Sequence, residues 1–136
     1  MIEKIETNKG ILAIIIYHQY RENGIQFFTP GDFSQQLAYM NRPKGYVIDP
    51  HVHNLVKREV HLTQEVLLIR KGKVRVDFYD DQKNYLENRV LETGDVILLA
   101  AGGHGFEMLE KTEMIEIKQG PYLGEEDKTR FKPMNK

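Results

Sequence analysis

The stretch "EVLLIRKGKVRVDFY", residues Glu65 to Tyr79, decides the fold because it contains two strand patterns and the turn between them. In "RVDFY" apolar and polar residues alternate, so that Val76 and Phe78 share one face of a strand while their neighbours share the other. The turn "RKGK" supplies Gly72, which adopts a positive φ at little cost. These residues predict an antiparallel β-hairpin with one buried face.

Short apolar runs broken by Gly, Pro, Asn and Asp recur along the chain, which is typical of an all-β domain. β-Branched and aromatic residues are common in these runs, and no long stretch has helical periodicity. The predicted strands are Ile11–His18, Ile25–Phe28, Gln35–Asn41, Tyr46–His53, Glu65–Arg70, Lys73–Tyr79, Arg89–Glu92, Asp95–Leu99, Gly105–Leu109 and Met114–Gln119. So many short strands in one domain must protect their edges, and we expect a closed barrel or a two-sheet jelly roll.

The composition excludes several classes of protein. The 136 residues suit a single domain, residues 1–136. A net charge of -1 gives no general attraction to nucleic acid or to an anionic membrane, and the longest apolar run, "ILAIII", is too short to span a bilayer. The absence of cysteine excludes disulfides and thiolate metal sites, and it fits a cytoplasmic protein.

Histidines precede the hairpin at a recognisable spacing. Gly45 is followed by five residues and then by His51 and His53, while Glu65 is followed by six residues and then by Gly72. In this arrangement the chain resembles the cupin superfamily, whose first motif contains a glycine, His-x-His, a glutamate and a second glycine. The resemblance implies a jelly-roll barrel, which is also called a double-stranded β-helix.

A later stretch resembles the second cupin motif, a glycine followed about ten residues later by a histidine. Gly94 precedes His104 by ten positions through "DVILLAAGG", with Ala100 where the motif usually has proline. The resemblance covers a core of about residues 35–119. It leaves a charged tail at residues 120–136, whose last residues we expect to be frayed.

The resemblance implies that His51, His53, Glu65 and His104 bind one divalent transition metal. Strand geometry agrees for the first pair, because residues i and i+2 point to the same face of a strand. Two glycines before His104 let its strand approach closely. Three imidazoles and one carboxylate suit Fe, Mn, Ni, Zn or Co, and the sequence favours none of these metals over the others.

The distance between the second histidine and the glutamate leaves a competing assignment open. Cupins usually place the glutamate four or five positions after the second histidine, whereas Glu65 follows His53 by twelve. His61 precedes the glutamate by four positions, so Glu59 and His61 would then replace the His-x-His pair. We favour the first assignment, because it retains the preceding glycine and both histidines. It makes Asn54–Leu62 an insert, which we expect to form a mobile lid or hairpin over the barrel mouth.

Other residues are candidates for contacts with a small-molecule ligand. The expected substrate-binding residues are Asn41, Arg42, Arg58, Phe106 and Met108, and the expected acid–base residues are Tyr39 and Glu107. Either arginine would bind a carboxylate or a phosphate through two hydrogen bonds. The alternative, which we prefer, is that both arginines are simply solvated.

Two functions fit this interpretation. The first is a metal-dependent enzyme that acts on a sugar, a nucleotide-sugar or a small carboxylate, for example in polysaccharide biosynthesis, as an isomerase, epimerase or dioxygenase. The second is a non-catalytic module that binds or senses a small molecule such as a sugar. Cupins have many activities, so the resemblance does not decide between the two.

The strand "ILAIII" is apolar on both faces, which is more apolar surface than a chain of this size needs to cover its own core. Strands of this kind are covered on both sides. We therefore expect a homodimer built on the N-terminal strands, residues 11–28.

Overall fold

A computed structural model describes residues 1–133 and contains ten β-strands and one short 3-10 helix. The strands are β1 (Ile2–Thr7), β2 (Gly10–Ile16), β3 (Gly24–Phe27), β4 (Ala38–Asn41), β5 (Glu65–Lys71), β6 (Lys73–Tyr79), β7 (Tyr85–Glu92), β8 (Val96–Leu99), β9 (Gly103–Met108) and β10 (Glu113–Lys118), and the 3-10 helix is Gly124–Asp127. The described part of the chain has no helix long and apolar enough to cross a membrane. The expectation of an all-β protein is confirmed.

The strands form three antiparallel sheets. The largest has the order β1-β2-β8-β5-β10, the second has the order β7-β6-β9, and β3 pairs with β4 alone. Within residues 1–133 no sheet closes into a barrel. The antiparallel hairpin predicted for residues 65–79 is wrong in its pairing: both strands and the turn at Gly72, with a φ of 102°, are present, but β5 belongs to the five-stranded sheet and β6 to the three-stranded sheet, so the chain crosses from one sheet to the other at this turn.

The five-stranded and three-stranded sheets enclose the hydrophobic core between them. From the smaller sheet, Val76 and Phe78 point inward as their alternation predicts, and both are buried. From the larger sheet, Leu67 and Ile69 of β5 and Ile97 of β8 meet them in the same cluster. Burial of this apolar surface from two facing sheets is the main force that stabilises the domain.

The outer face of the larger sheet is also covered, by the chain's own residues. Ile14 and Leu98 are fully buried although neither belongs to the inward-facing cluster. The loop before β4 is tied to the residue that precedes β5, where Ser34 Oγ and the Gln35 backbone N donate to Gln64 Oε1 at 3.2 and 3.0 Å. Because one chain buries both faces of "ILAIII", the reason for a homodimer on residues 11–28 is removed.

The segment between β4 and β5 differs most from the expectation. Tyr46–His53, predicted as a strand, forms none in this structure, and every residue from 40 to 62 is exposed. A strand needs a neighbouring strand as partner for its backbone groups, and none in the described chain pairs with this segment. We call residues 42–62 the arm. Conversely, Ile2–Thr7 forms a strand that the sequence analysis did not assign, because it pairs with β2.

A buried carboxylate holds the turn "ETGD", residues 92–95, between β7 and β8. Asp95 accepts hydrogen bonds from the backbone N of Glu92 at 2.7 Å and from the backbone N of His18 at 2.8 Å. His18 Nδ1 lies 2.9 Å from the same carboxylate. His18 is therefore a structural histidine. Gly94 packs against it with a φ of 93°, and a Cβ at position 94 would lie only 2.8 Å from the His18 Cβ.

One margin of the sandwich is closed by an ion pair between the two sheets. Arg89 of β7 donates to Glu3 of β1 with N–O distances of 2.7 to 2.9 Å, and the Tyr17 hydroxyl donates to the same carboxylate at 2.7 Å. The Arg89 guanidinium lowers the pKa of Glu3, while burial and the bond to Glu3 raise the pKa of Tyr17 to about 12. At the opposite margin the edge strands are β9 and β10, and no further strand of the described chain covers this margin.

Arg89→Met should destabilise the protein by roughly 1–3 kcal/mol, because it leaves the part-buried carboxylate of Glu3 without its cation. Glu3→Gln combined with Arg89→Met should cost less than the sum of the single changes. Urea unfolding of the four proteins measures both effects. The matched control is Arg70→Met, which breaks an exposed pair with Glu113 at 3.9 Å and should change stability by under about 0.5 kcal/mol. Equal costs for Arg89→Met and Arg70→Met would contradict a closing role for Arg89.

Candidate functional site

A cavity lies at the open margin, between β9 on one sheet and β5 and β10 on the other. Its volume is about 710 Å³, which is within the range of about 300–1,000 Å³ that is usual for small-molecule sites. Strand residues in its lining are Glu65, Tyr79, His104, Phe106, Glu116 and Lys118, and the C-terminal segment adds residues 127–131 and Pro133. The site is therefore built from both sheets and the chain's end.

Glu65 and His104 come from opposite sheets and meet on the cavity wall. Glu65 pairs with Leu99, and His104 pairs with Phe78, so both point to the side of the core. Their Oε1 and Nε2 atoms are 2.9 Å apart. This hydrogen bond, against the opposing effect of burial, lowers the pKa of Glu65 to about 2. The carboxylate is ionised at neutral pH and only accepts, so Nε2 of His104 carries the proton of this bond.

A lysine adds positive charge to the same wall. Lys118 pairs with Glu65 across β10 and β5, and its Nζ lies 3.5 Å from Glu65 Oε2 and 3.4 Å from Glu116 Oε1. These carboxylates raise the pKa of Lys118, although burial acts against them. The sequence analysis missed Lys118 and Glu116. The signal was the alternation in "MIEIK", which places Met114, Glu116 and Lys118 on one face of β10.

The C-terminal segment closes one end of the cavity. Phe131 packs edge-on against Tyr79 with ring centroids 5.0 Å apart. A Cβ at Gly103 would lie 3.1 Å from the Phe131 ring, so the glycine before His104 admits this contact. Thr63, beside Glu65, donates a hydrogen bond to Asp127. The tail predicted at residues 120–136 is thus part of the site up to Pro133, and its expected frayed end, residues 134–136, lies outside the described residues.

His51 and His53 lie on the arm, away from Glu65 and His104. Their rings are edge-on with centroids 5.2 Å apart, and His51 Nδ1 lies 2.9 Å from the backbone oxygen of Asp49. Neither residue lines the cavity. The structure therefore brings together two of the four predicted metal ligands.

The competing assignment has one member at the cavity. His61 is on its lining, with a side chain that is 83% exposed and an Nε2 atom 3.8 Å from the Glu59 carboxylate. In residues 1–133 no group of three or more His, Asp or Glu side chains is placed to hold a metal ion. The carboxylate of Glu65 and the imidazoles of His104 and His61 are suitable ligands for a transition metal. In this arrangement, however, too few of them meet at one point to hold an ion. The metal site stays a prediction under either assignment.

The predicted ligand contacts lie in different places. Phe106 lines the cavity beside His104, with ring centroids 5.5 Å apart, and Met108 points to the same side of β9 without lining the cavity. Arg42 stacks on the Tyr46 ring at 4.5 Å. Of these candidates, the structure brings Phe106 alone into contact with the cavity.

The remaining candidates lie outside the cavity lining. The Asn41 side chain donates to the backbone oxygen of Glu22, and Arg58 is exposed on the arm. The two expected acid–base residues have partners of their own: Tyr39 packs edge-on against Tyr20, and Glu107 accepts from Arg75 at 3.1 Å.

Glu65→Gln should make the free energy of unfolding less dependent on pH below about 4.5. The folded pKa of Glu65, about 2, is below its ordinary value of 4.5, so the carboxylate stabilises the fold above pH 4.5 and loses this effect as the pH falls toward 2. Urea unfolding of the unaltered and Glu65→Gln proteins at several pH values, with a chelator present, measures the difference between their free energies of unfolding. The other carboxylates titrate in both proteins, so their contributions cancel in this difference. Identical pH dependence below pH 4.5 would show that the bond to His104 is absent in solution.

No protein-family model matches this chain, and comparisons with curated proteins and with solved structures gave no significant match.

Proposed function

We propose that this chain binds a small polar molecule in the cavity between its two sheets, with Glu65 and His104 in contact with the ligand. The observation that carries the proposal is the 2.9 Å pair of these two residues on the wall of a cavity of about 710 Å³. An ionised carboxylate and an oriented imidazole are groups that hydrogen-bond a ligand and fix its orientation.

The lining supports a sugar or a small carboxylate as the ligand. Tyr79, Phe106 and Phe131 supply aromatic surface, while Lys118 and Glu116 supply opposite charges. A sugar has hydroxyl groups for the charged side chains and an apolar ring face for the aromatic ones. A carboxylate would pair with the ammonium of Lys118 through a charge-assisted hydrogen bond.

A cupin-like arrangement is part of the proposal. Glu65 and His104 belong to the two motifs that resemble those of cupins, and they lie in contact across two facing sheets. This meeting of the two motifs is what supports the resemblance. A cytoplasmic location is still an expectation from the cysteine-free sequence.

Metal binding is the second candidate, favoured by the presence of His61 on the same cavity lining as Glu65 and His104. These residues would hold the ion if the arm moved inward, with His61 or the pair His51 and His53 as the further ligands. A metal would supply a Lewis acid that polarises a bound oxygen. Enzymatic activity, as an isomerase, epimerase or dioxygenase, is proposed only with this candidate.

A panel of monosaccharides, nucleotide-sugars and small carboxylates should contain a compound that raises the melting temperature of the chelator-treated protein. Calorimetric titration of that compound should show weaker binding by about tenfold or more for His104→Asn and Lys118→Met, a loss of about 1.4 kcal/mol or more. Glu113→Gln is the matched control, since this exposed glutamate begins β10 outside the cavity lining. Equal losses in the control, or ligand binding unaffected by both cavity variants, would refute the proposed site.

Titration of metal-free protein with Fe(II), Mn(II), Ni(II) and Zn(II) tests the second candidate. We expect binding tighter than about 0.1 mM and a raised melting temperature, with affinity falling below about pH 6.5 because imidazole ligands must be neutral. His104→Ala should weaken binding strongly. Comparison of His61→Ala with His51→Ala then decides between the two ligand assignments. No binding tighter than about 0.1 mM for any of the four metals would rule out a metalloprotein.

A further inference from the structure

The arm exposes an unusual amount of apolar surface for a connecting segment. Val52 is 86% exposed and Leu55 is fully exposed. The large apolar residues exposed on the arm are Tyr46, Val47, Ile48, Val52, Leu55, Val56, Val60 and Leu62. Solvated loops and disordered segments are poor in such residues, so the composition of the arm indicates that it is covered by protein in solution.

The backbone of the arm forms no strand or helix and makes almost no bonds to its own chain. Its one backbone–backbone hydrogen bond within the described residues joins the N of Tyr46 to the O of Pro43 at 3.1 Å. From residue 47 to residue 62 the backbone makes no hydrogen bond to another backbone group of the described chain. A segment whose backbone groups are unused in this way can be added as a strand to a sheet edge.

The open margin of the sandwich offers two such edges. β9 is the last strand of the three-stranded sheet, and β10 is the last strand of the five-stranded sheet. Both edges carry partly exposed apolar side chains, with Phe106 and Met108 on β9 and Ile115 and Ile117 on β10. Exposed apolar edges of this kind pair with other chains unless they are covered.

We propose that the arm of one copy of this chain covers the open margin of a second copy, along the edges of β9 and β10, in a reciprocal two-fold dimer. The area supports a second copy as the occupant. The exposed apolar side chains of one arm together present on the order of 800 Å², which is what each partner contributes to a standard stable interface. A two-fold axis uses the arm and the margin of both copies, so that neither surface is left exposed.

Charge is compatible with this pairing. The arm carries Lys57, Arg58 and Glu59 in succession, while the turn that joins β9 to β10 carries Glu110 and Lys111, and the exposed Glu113 begins β10. Opposite charges across an interface select the partner and its orientation. This interface differs from the one expected on residues 11–28, because it uses the arm and the margin in place of the N-terminal strands.

Light scattering at about 50 µM should give twice the chain mass of 15.9 kDa for the unaltered protein. Val52→Asp combined with Leu55→Asp should give a monomer with an unchanged melting profile at low concentration, since both side chains are exposed within one copy. Leu86→Asp is the matched control on β7, at the opposite margin, and should stay dimeric. A monomeric unaltered protein, or a dimer that survives the arm variant, would overturn the proposal.

Crosslinking tests which surface the arm contacts, and the lack of natural cysteine makes it specific. Leu55→Cys protein labelled with ¹⁵N should be mixed and refolded with unlabelled Ile117→Cys or Met108→Cys protein and then oxidised. We expect disulfide-linked pairs of one labelled and one unlabelled chain, and far fewer with Leu86→Cys. An internal disulfide within monomers of the Leu55→Cys, Ile117→Cys double variant would show that the arm folds onto its own copy, and the proposal would be wrong.

Discussion

The unequal width of the two main sheets is the constraint on which the rest of this structure depends. Neighbouring strands lie about 4.8 Å apart, so two extra strands leave roughly 10 Å of the larger sheet beyond the cover of the smaller one. The Glu3–Arg89 pair aligns β1 with β7 at one margin. The excess width therefore falls toward the other margin, where β10 ends the larger sheet and β9 ends the smaller one.

This mismatch explains why a polar cavity forms beside an apolar core. Along the inward face of β10, Met114 packs against the core cluster, and Glu116 and Lys118 follow toward the opening. His104 lies on the last strand of the smaller sheet and reaches Glu65 on β5, one strand in from the edge of the larger sheet. Charged groups are stable here because they pair with each other and still meet water at the margin.

The sequence predicted what depends on local pattern and failed where pairing partners decide. Alternation in "RVDFY" predicted the inward faces of Val76 and Phe78, and motif spacing predicted that Glu65 and His104 belong to one site. The strand expected at Tyr46–His53 depends on a neighbouring edge, which no local pattern contains. Ile14 is fully buried within one chain, which no pattern inside "ILAIII" indicates, and this is why the apolar strand suggested a partner that the fold does not require there.

The position of Phe131 also depended on distant residues, since its contact with Tyr79 requires the glycine at position 103. A single aromatic residue in a charged tail is too common a pattern to predict a cavity wall. Long-range packing of this kind is what the sequence of one chain leaves undetermined.

Gln64 is a fixed point, or pivot, between the exposed arm and the buried Glu65 at the start of β5. Its side chain accepts bonds from Ser34 and Gln35, and its backbone oxygen accepts from the N of Gln119 at 3.0 Å. The arm ends two residues before this pivot, and Glu65 begins immediately after it. Glu65 is therefore anchored by bonds made at its own end of β5, and its position in the wall does not require contacts with the arm.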